Sequence, residues 1–197
     1  MVEYENAKTE LHYNNLYELL ICVILSAQCT DKRVNLITPK LFESYPSVYE
    51  LAESTLNDVK KLLQTCSFFN NKARNIILMA QKVINEYNGN IPLTQKTLMS
   101  LAGVGQKTAN VVMIEWCGEN LMAVDTHVFR VSHRLGLSDG KNVKETETQL
   151  VKKLKINLAV LHQAMVLFGR YRCKAINPEC GGCILSEFCK TKETFKV

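Results

Sequence analysis

The 197-residue sequence has no apolar run long enough to cross a bilayer. Its longest is Leu19 to Leu25, seven residues, against the ~20 that a membrane-spanning helix needs. No secretory leader is expected either: Glu3, Glu5 and Glu10 stand where a positive flank and an apolar core would be. No segment is low in complexity, no internal repeat recurs, and no linker separates parts of the chain. Runs of period-2 alternation are missing too, which argues against a sheet. What is left is an all-α globular protein with no membrane partner, expected in the cytoplasm.

Apolar residues make up 47% of the chain, enough for a sizeable core. The formal net charge is +5, a moderately basic balance compatible with a nucleic-acid partner. Cysteine is the outlier, at eight. Cys22, Cys29, Cys66 and Cys117 lie scattered among apolar or helical residues and read as ordinary core thiols. The other four crowd into the last 25 residues; in a reducing compartment such a cluster points to metal rather than to disulfides.

The helices can be placed by apolar spacing and caps. Residues 1 to about 17 suggest an amphipathic helix carrying Leu11, Tyr13, Leu16 and Tyr17. The run L-L-I-C-V-I-L reads as a helix buried on all sides, although periodicity alone also fits a strand. Asp31 is positioned to cap a helix over about 32–45, Ser47 opens another, and Ser54-Thr55 caps Leu56 to Leu63. Asn70-Asn71 suggests a turn before a helix that stops at Tyr87-Asn88-Gly89-Asn90. Asp125 is placed to cap a helix from Thr126, and Asp139-Gly140 suggests a turn. Thr146 to Leu154 and Leu158 to Tyr171 are two further amphipathic segments.

Two stretches carry chemistry. In the first, Gly103 and Gly105 lie between the apolar-periodic segments Leu93 to Leu101 and Ala109 to Met113, the pattern of helix, tight hairpin, helix. Glycines there allow positive φ and close approach of a partner to the backbone. Amides of Gly103, Val104 and Gly105 at a helix start form a cradle for phosphate. Lys107 is on the wrong end of that helix for its charge; the dipole favours the free amine that a nucleophilic lysine needs. The plainer alternative is a lysine that touches phosphate or solvent.

The second stretch is the tail, where Cys173, Cys180, Cys183 and Cys189 are separated by six, two and five residues. Four thiolates in one loop can hold a 4Fe-4S cubane. Tetrahedral zinc is the rival, but it commonly takes two short cysteine pairs and only the central pair here is short.

Taken together, these stretches resemble the endonuclease III family of helix-hairpin-helix DNA glycosylases with apurinic/apyrimidinic lyase activity. Four match in order: L-L-I-C-V-I-L-S-A-Q-C-T-D, L-A-G-V-G-Q-K-T-A-N-V-V, A-V-D-T-H-V-F-R-V and the C-x₆-C-x₂-C-x₅-C tail. The match runs from about residue 15 onward. The resemblance implies a two-lobed fold with DNA bound across a cleft: a six-helix lobe at 18–130 holding the hairpin (about 94–116), and a second lobe of 1–17 plus 131–197 with the cluster loop 173–189. It implies that Lys107 is the nucleophile, Asp125 the catalytic carboxylate and the four tail cysteines the ligands of a 4Fe-4S cluster. Gln28 falls on a glutamine that enters the duplex beside the extruded base, and Phe68 on an apolar wedge, commonly leucine. Thr126 and His127 would shape the pocket. The partner implied is double-stranded DNA with a damaged base or an abasic site, bound by a monomer associated with the nucleoid.

Three departures from the family pattern stand out. Ala102 replaces a usual proline, and Gln106 a common arginine or lysine that would touch phosphate. In the cluster loop Asn177 and Glu179 take positions often basic, leaving Lys174 as the main DNA-binding cation there. Two other functions fit the fold. A monofunctional mismatch adenine glycosylase would lack a lysine at 107 and normally carry an extra C-terminal domain. A non-catalytic DNA-binding iron–sulfur protein would need neither Lys107 nor Asp125.

Overall fold

The structure is a computed structural model that describes residue 4 and residues 7–191. Among the described residues there is no strand, and no helix is long and apolar enough to cross a membrane. Ten α-helices follow in order: α1 Leu16–Ser26, α2 Asp31–Ser44, α3 Val48–Glu53, α4 Leu56–Leu63, α5 Phe69–Tyr87, α6 Gln95–Leu98, α7 Gln106–Cys117, α8 Thr126–Arg134, α9 Val143–Leu154 and α10 Leu158–Tyr171.

The chain divides into two compact units, residues 10–117 and the described residues of 4–9 with 118–191. These bounds differ from the expected 18–130 and 1–17 plus 131–197. Compactness puts α8 with α10, because Val128 and Val131 pack with Met165, Val166 and Phe168.

In the unit of residues 10–117, α1 is buried all round, as its unbroken apolar run requires: Leu19 to Leu25 all lie inside. Helices α2, α5 and α7 pack against it, while α3 and α4 pack against α5. Several helix starts are written in side-chain caps that satisfy amides the helix itself cannot. Asn15 accepts from the Glu18 amide, Ser47 from Tyr49 and Thr55 from Asp58. Thr30 rather than Asp31 caps α2: its hydroxyl accepts from the Arg33 amide (3.3 Å), and Asp31 becomes the first helical residue, where its charge suits the dipole.

Four other expectations are corrected. Residues 7–13 are not helical; Asn35 ties this stretch down, accepting from His12 N (3.0 Å) and donating to Glu10 O (2.7 Å). Asn70 and Asn71 lie inside α5, and the turn before it falls on Phe68, at φ 57°. The turn near 139 comes earlier, over Leu135–Leu137, where Gly136 has φ 65°. Of the four scattered thiols, Cys22 and Cys66 are buried, with burial pushing Cys22 up to about 12, but Cys29 is half-buried and Cys117 exposed.

The second unit has its core among Met122, Val124, Val128, Val131, Leu150, Leu158, Met165, Val166 and Phe168. Cys173, Cys183 and Leu185 pack on its edge, so the cysteine-bearing loop is seated on this core.

Candidate nucleic-acid interface and iron–sulfur loop

The hairpin forms as its sequence dictates, with a shorter first helix than Leu93–Leu101 suggests. Thr94 and Thr97 form a reciprocal capping box that starts α6 at Gln95. Ser100 N then donates to Thr97 O and Leu101 N to Leu98 O, tightening the chain into turns after one helical turn. Gln95 Nε2 donates to Asn110 Oδ1 (2.6 Å), tying α6 to α7 across the turn.

The two glycines do different work. Gly103 has φ 80°, and a Cβ there would lie 3.1 Å from Asn75 Cβ and 3.3 Å from Ile24 Cγ2. Gly105 has no positive φ; its carbonyl accepts from Ala109 N (3.0 Å), so it occupies the N-cap position of α7. A Cβ at Gly105 would meet no atom within 4 Å, so the space at the α7 start is open to an approaching group. Val104 is buried and its amide donates to Leu101 O (3.2 Å), so this residue holds the turn itself. Lys107 stands half-buried in the first turn of α7, beside that opening.

Gln28 and Phe68 belong to the same unit. Both are exposed and both adopt left-handed backbone, φ 54° and 57°. Phe68 is 61% exposed, which removes it from the core. A bulky residue in this conformation is an outlier of the kind that collects at functional sites.

In the other unit, Asp125 caps α8 with one oxygen. Its Oδ1 accepts from both His127 N and Val128 N, at 2.8 Å each, and Oδ2 takes no part in the cap. Thr126 is exposed, and His127 Nδ1 lies 3.2 Å from Arg130 Nη2. Arg130 and Arg134 were not legible as site residues, although their spacing of four places both on one face of α8. Arg130 Nε donates to Cys173 O (2.9 Å) and Nη2 to Gly169 O (2.7 Å). Burial and the neighbouring Arg134 guanidinium pull Arg130 below the usual arginine range. Arg134 Nη1 donates to Lys174 O (2.7 Å) and reaches Cys173 Sγ at 3.3 Å.

Cys173, Cys180, Cys183 and Cys189 line one pocket, walled by Leu135, Phe168, Pro178 and Leu185. The Cys180 thiol is raised, by burial first and then by the three other tail cysteines around it. Four cysteine sulfurs lining one pocket, with Arg134 donating to one of them, form a donor set that suits a cubane taking one thiolate per iron. Lys174 forms an ion pair with Glu179 (2.5 Å), which holds the Glu179 carboxyl below its usual range.

A hairpin with an open helix start and a four-cysteine loop, in an all-α chain, define the class. Residues 21–156 match the HhH-GPD superfamily of base excision DNA repair proteins, and residues 173–189 the iron–sulfur binding domain of endonuclease III. The chain is 44% identical to endonuclease III of Haemophilus influenzae, over 94% of this chain and 88% of that one. It is 41% identical to endonuclease III of Escherichia coli, over 96% and 90%. The structure of a trapped endonuclease III–DNA covalent intermediate superposes with a TM-score of 0.94 at 41% identity, over 98% of this chain and 92% of that one. The chain belongs to the endonuclease III family: it is a base-excision-repair DNA glycosylase with AP lyase activity, and its cofactor is a 4Fe-4S cluster.

Proposed function

We propose that this chain removes oxidised pyrimidines from duplex DNA and cuts the strand through a Schiff base on Lys107. The observation that carries this reading is the lysine in the first turn of α7, beside an N-terminus left open by Gly105. A base inside the duplex hides C1′ of its sugar, so the nucleotide has to be flipped out at a cost of a few kcal/mol, less for a base that has lost aromaticity and stacks poorly. Phe68 and Gln28 fill the gap that the nucleotide leaves. The α7 start beside Gly105 takes a phosphate, where the dipole favours an anion, while the Val104 amide stays bonded within the turn.

With the nucleotide extruded, the Lys107 amine attacks C1′ and the C1′–N bond to the base breaks, the base leaving with a proton. The carboxylate of Asp125 offsets the positive charge that builds on the sugar in this step. Opening of the sugar gives the imine between Lys107 and C1′. The imine acidifies C2′; loss of that proton expels the 3′ phosphate by β-elimination, and water then frees the lysine. Cys173, Cys180, Cys183 and Cys189 hold the cluster, which gives the loop 173–189 a covalent frame; Lys174 in that loop contacts phosphate. The protein acts as a monomer at the nucleoid, a placement supported by the bacterial sources of its relatives.

A substrate panel tests the specificity. Duplexes carrying thymine glycol, adenine opposite 8-oxoguanine or thymine opposite guanine are incubated with the enzyme under single-turnover conditions. Release of thymine glycol at a rate at least about tenfold above the mismatched bases is expected, since a poorly stacked base costs less to extrude. Preferential release of the mismatched adenine or thymine would contradict the reading.

A further inference from the structure

Lys72 is a buried ammonium that the proposed mechanism does not use. It sits in the first turn of α5 and is 6% exposed. Its Nζ donates to Ala27 O (2.6 Å) and Leu25 O (2.8 Å) and lies 3.4 Å from Cys66 Sγ. No carboxylate pairs with it among the described residues. Such a charge carries a desolvation cost that an apolar side chain of the same size would avoid. Its partners explain its place: Leu25 and Ala27 end α1, where carbonyls lack helical donors and the dipole is negative.

Lys72 touches backbone at two places at once. The carbonyl it holds at Ala27 immediately precedes Gln28, at φ 54°. Its main-chain amide makes the ordinary first-turn bond of α5 to the carbonyl of Phe68 (3.1 Å), at φ 57°, so the Nζ contacts tie the α5 start to the α1 end. These two residues are exposed and left-handed, so their own side chains do not anchor them. A strained conformation persists only where the surroundings hold it.

We propose that Lys72 is a positioning residue that sets the Gln28 and Phe68 loops at one fixed spacing, so that both side chains enter the duplex together. The inference rests on the proposed duplex-inserting roles of Gln28 and Phe68. Lys72 contacts neither DNA nor the reacting sugar; it acts through the two loops. Misplacing such groups by about 1 Å can lower a rate by about 100-fold.

The test uses the cluster-loaded enzyme and a thymine glycol duplex with 2-aminopurine beside the lesion, whose fluorescence rises on flipping. Five proteins are compared: wild type, Lys72→Met, Lys72→Arg, the double variant Gln28→Ala/Phe68→Ala, and the triple variant that adds Lys72→Met. Lys72→Met is expected to slow the fluorescence rise by about 10- to 100-fold. The triple variant should then be no slower than the double variant, and Lys72→Arg, which keeps charge and donors, should recover most of the loss. A triple variant slowed by the product of the two effects, or a Lys72→Met rise at the wild-type rate, would overturn the inference while leaving the roles of Gln28 and Phe68 standing. A double variant that flips at the wild-type rate would overturn those roles and the inference with them. If Lys72→Met does not fold, Lys72→Gln, with a shorter reach, takes its place in the same comparison.

Discussion

Asp125 caps α8 and is proposed to act as a catalytic carboxylate, and one substitution can separate the two. As an N-cap it accepts from two amides through Oδ1, and asparagine caps a helix equally well. As a carboxylate it supplies a negative charge that asparagine lacks. Asp125→Asn is therefore expected to leave the melting temperature near wild type and to lower single-turnover base release by about 100-fold or more. Asp125→Ala should lose the same rate and also about 1 kcal/mol of stability. Thermal melts beside excision assays check both; an Asn variant that excises at the wild-type rate would reduce Asp125 to a cap. At this scale the sequence was informative about residues whose spacing is itself the signal: a lysine two places after a glycine pair, an aspartate 18 residues on, and four tail cysteines. Lys72 was not legible. In S-F-F-N-N-K-A it looks like the solvated side of a turn, and only the fold reveals that α1 ends above it with carbonyls to satisfy.

Among the elements, the hairpin offers a paired prediction. Gly103→Ala puts a Cβ at φ 80° and 3.1 Å from Asn75 Cβ, so it should cost about 1–2 kcal/mol of stability. Gly105→Ala meets nothing within 4 Å and keeps an ordinary φ. It should change stability by less than about 1 kcal/mol yet weaken duplex binding, because the new methyl stands in the open space where a phosphate is proposed to approach the α7 start. Melts and binding isotherms at one fixed salt concentration decide it; equal loss of stability in both variants would contradict this division of labour. Helices with strong caps or dense apolar spacing were readable, α10 to its end residues. The chain before α1 was not, because Leu11 is buried by a non-helical segment that Asn35 pins from a distance in sequence. Nor could the spacing of the tail show that Glu179 would pair with Lys174, a contact that occupies the ammonium proposed to take phosphate.

At the scale of the whole molecule, each unit carries part of the proposed machinery on a frame its own core sets. Residues 10–117 present Gln28, Phe68, the hairpin and Lys107; residues 118–191 present Asp125, and Arg130 and Arg134 run from its helix to the cysteine loop. The family membership fixes the reaction class. In the proposed mechanism one amine, that of Lys107, makes the chain a lyase as well as a glycosylase, so the central claim reduces to whether that amine bonds covalently to the sugar. The measurement is borohydride trapping on a duplex with a single thymine glycol, with wild type and Lys107→Ala side by side. The account predicts a covalent protein–DNA adduct with wild type and none with Lys107→Ala, whose cluster absorbance stays intact. An adduct of equal yield from Lys107→Ala, or base release by wild type with no adduct at all, would contradict it.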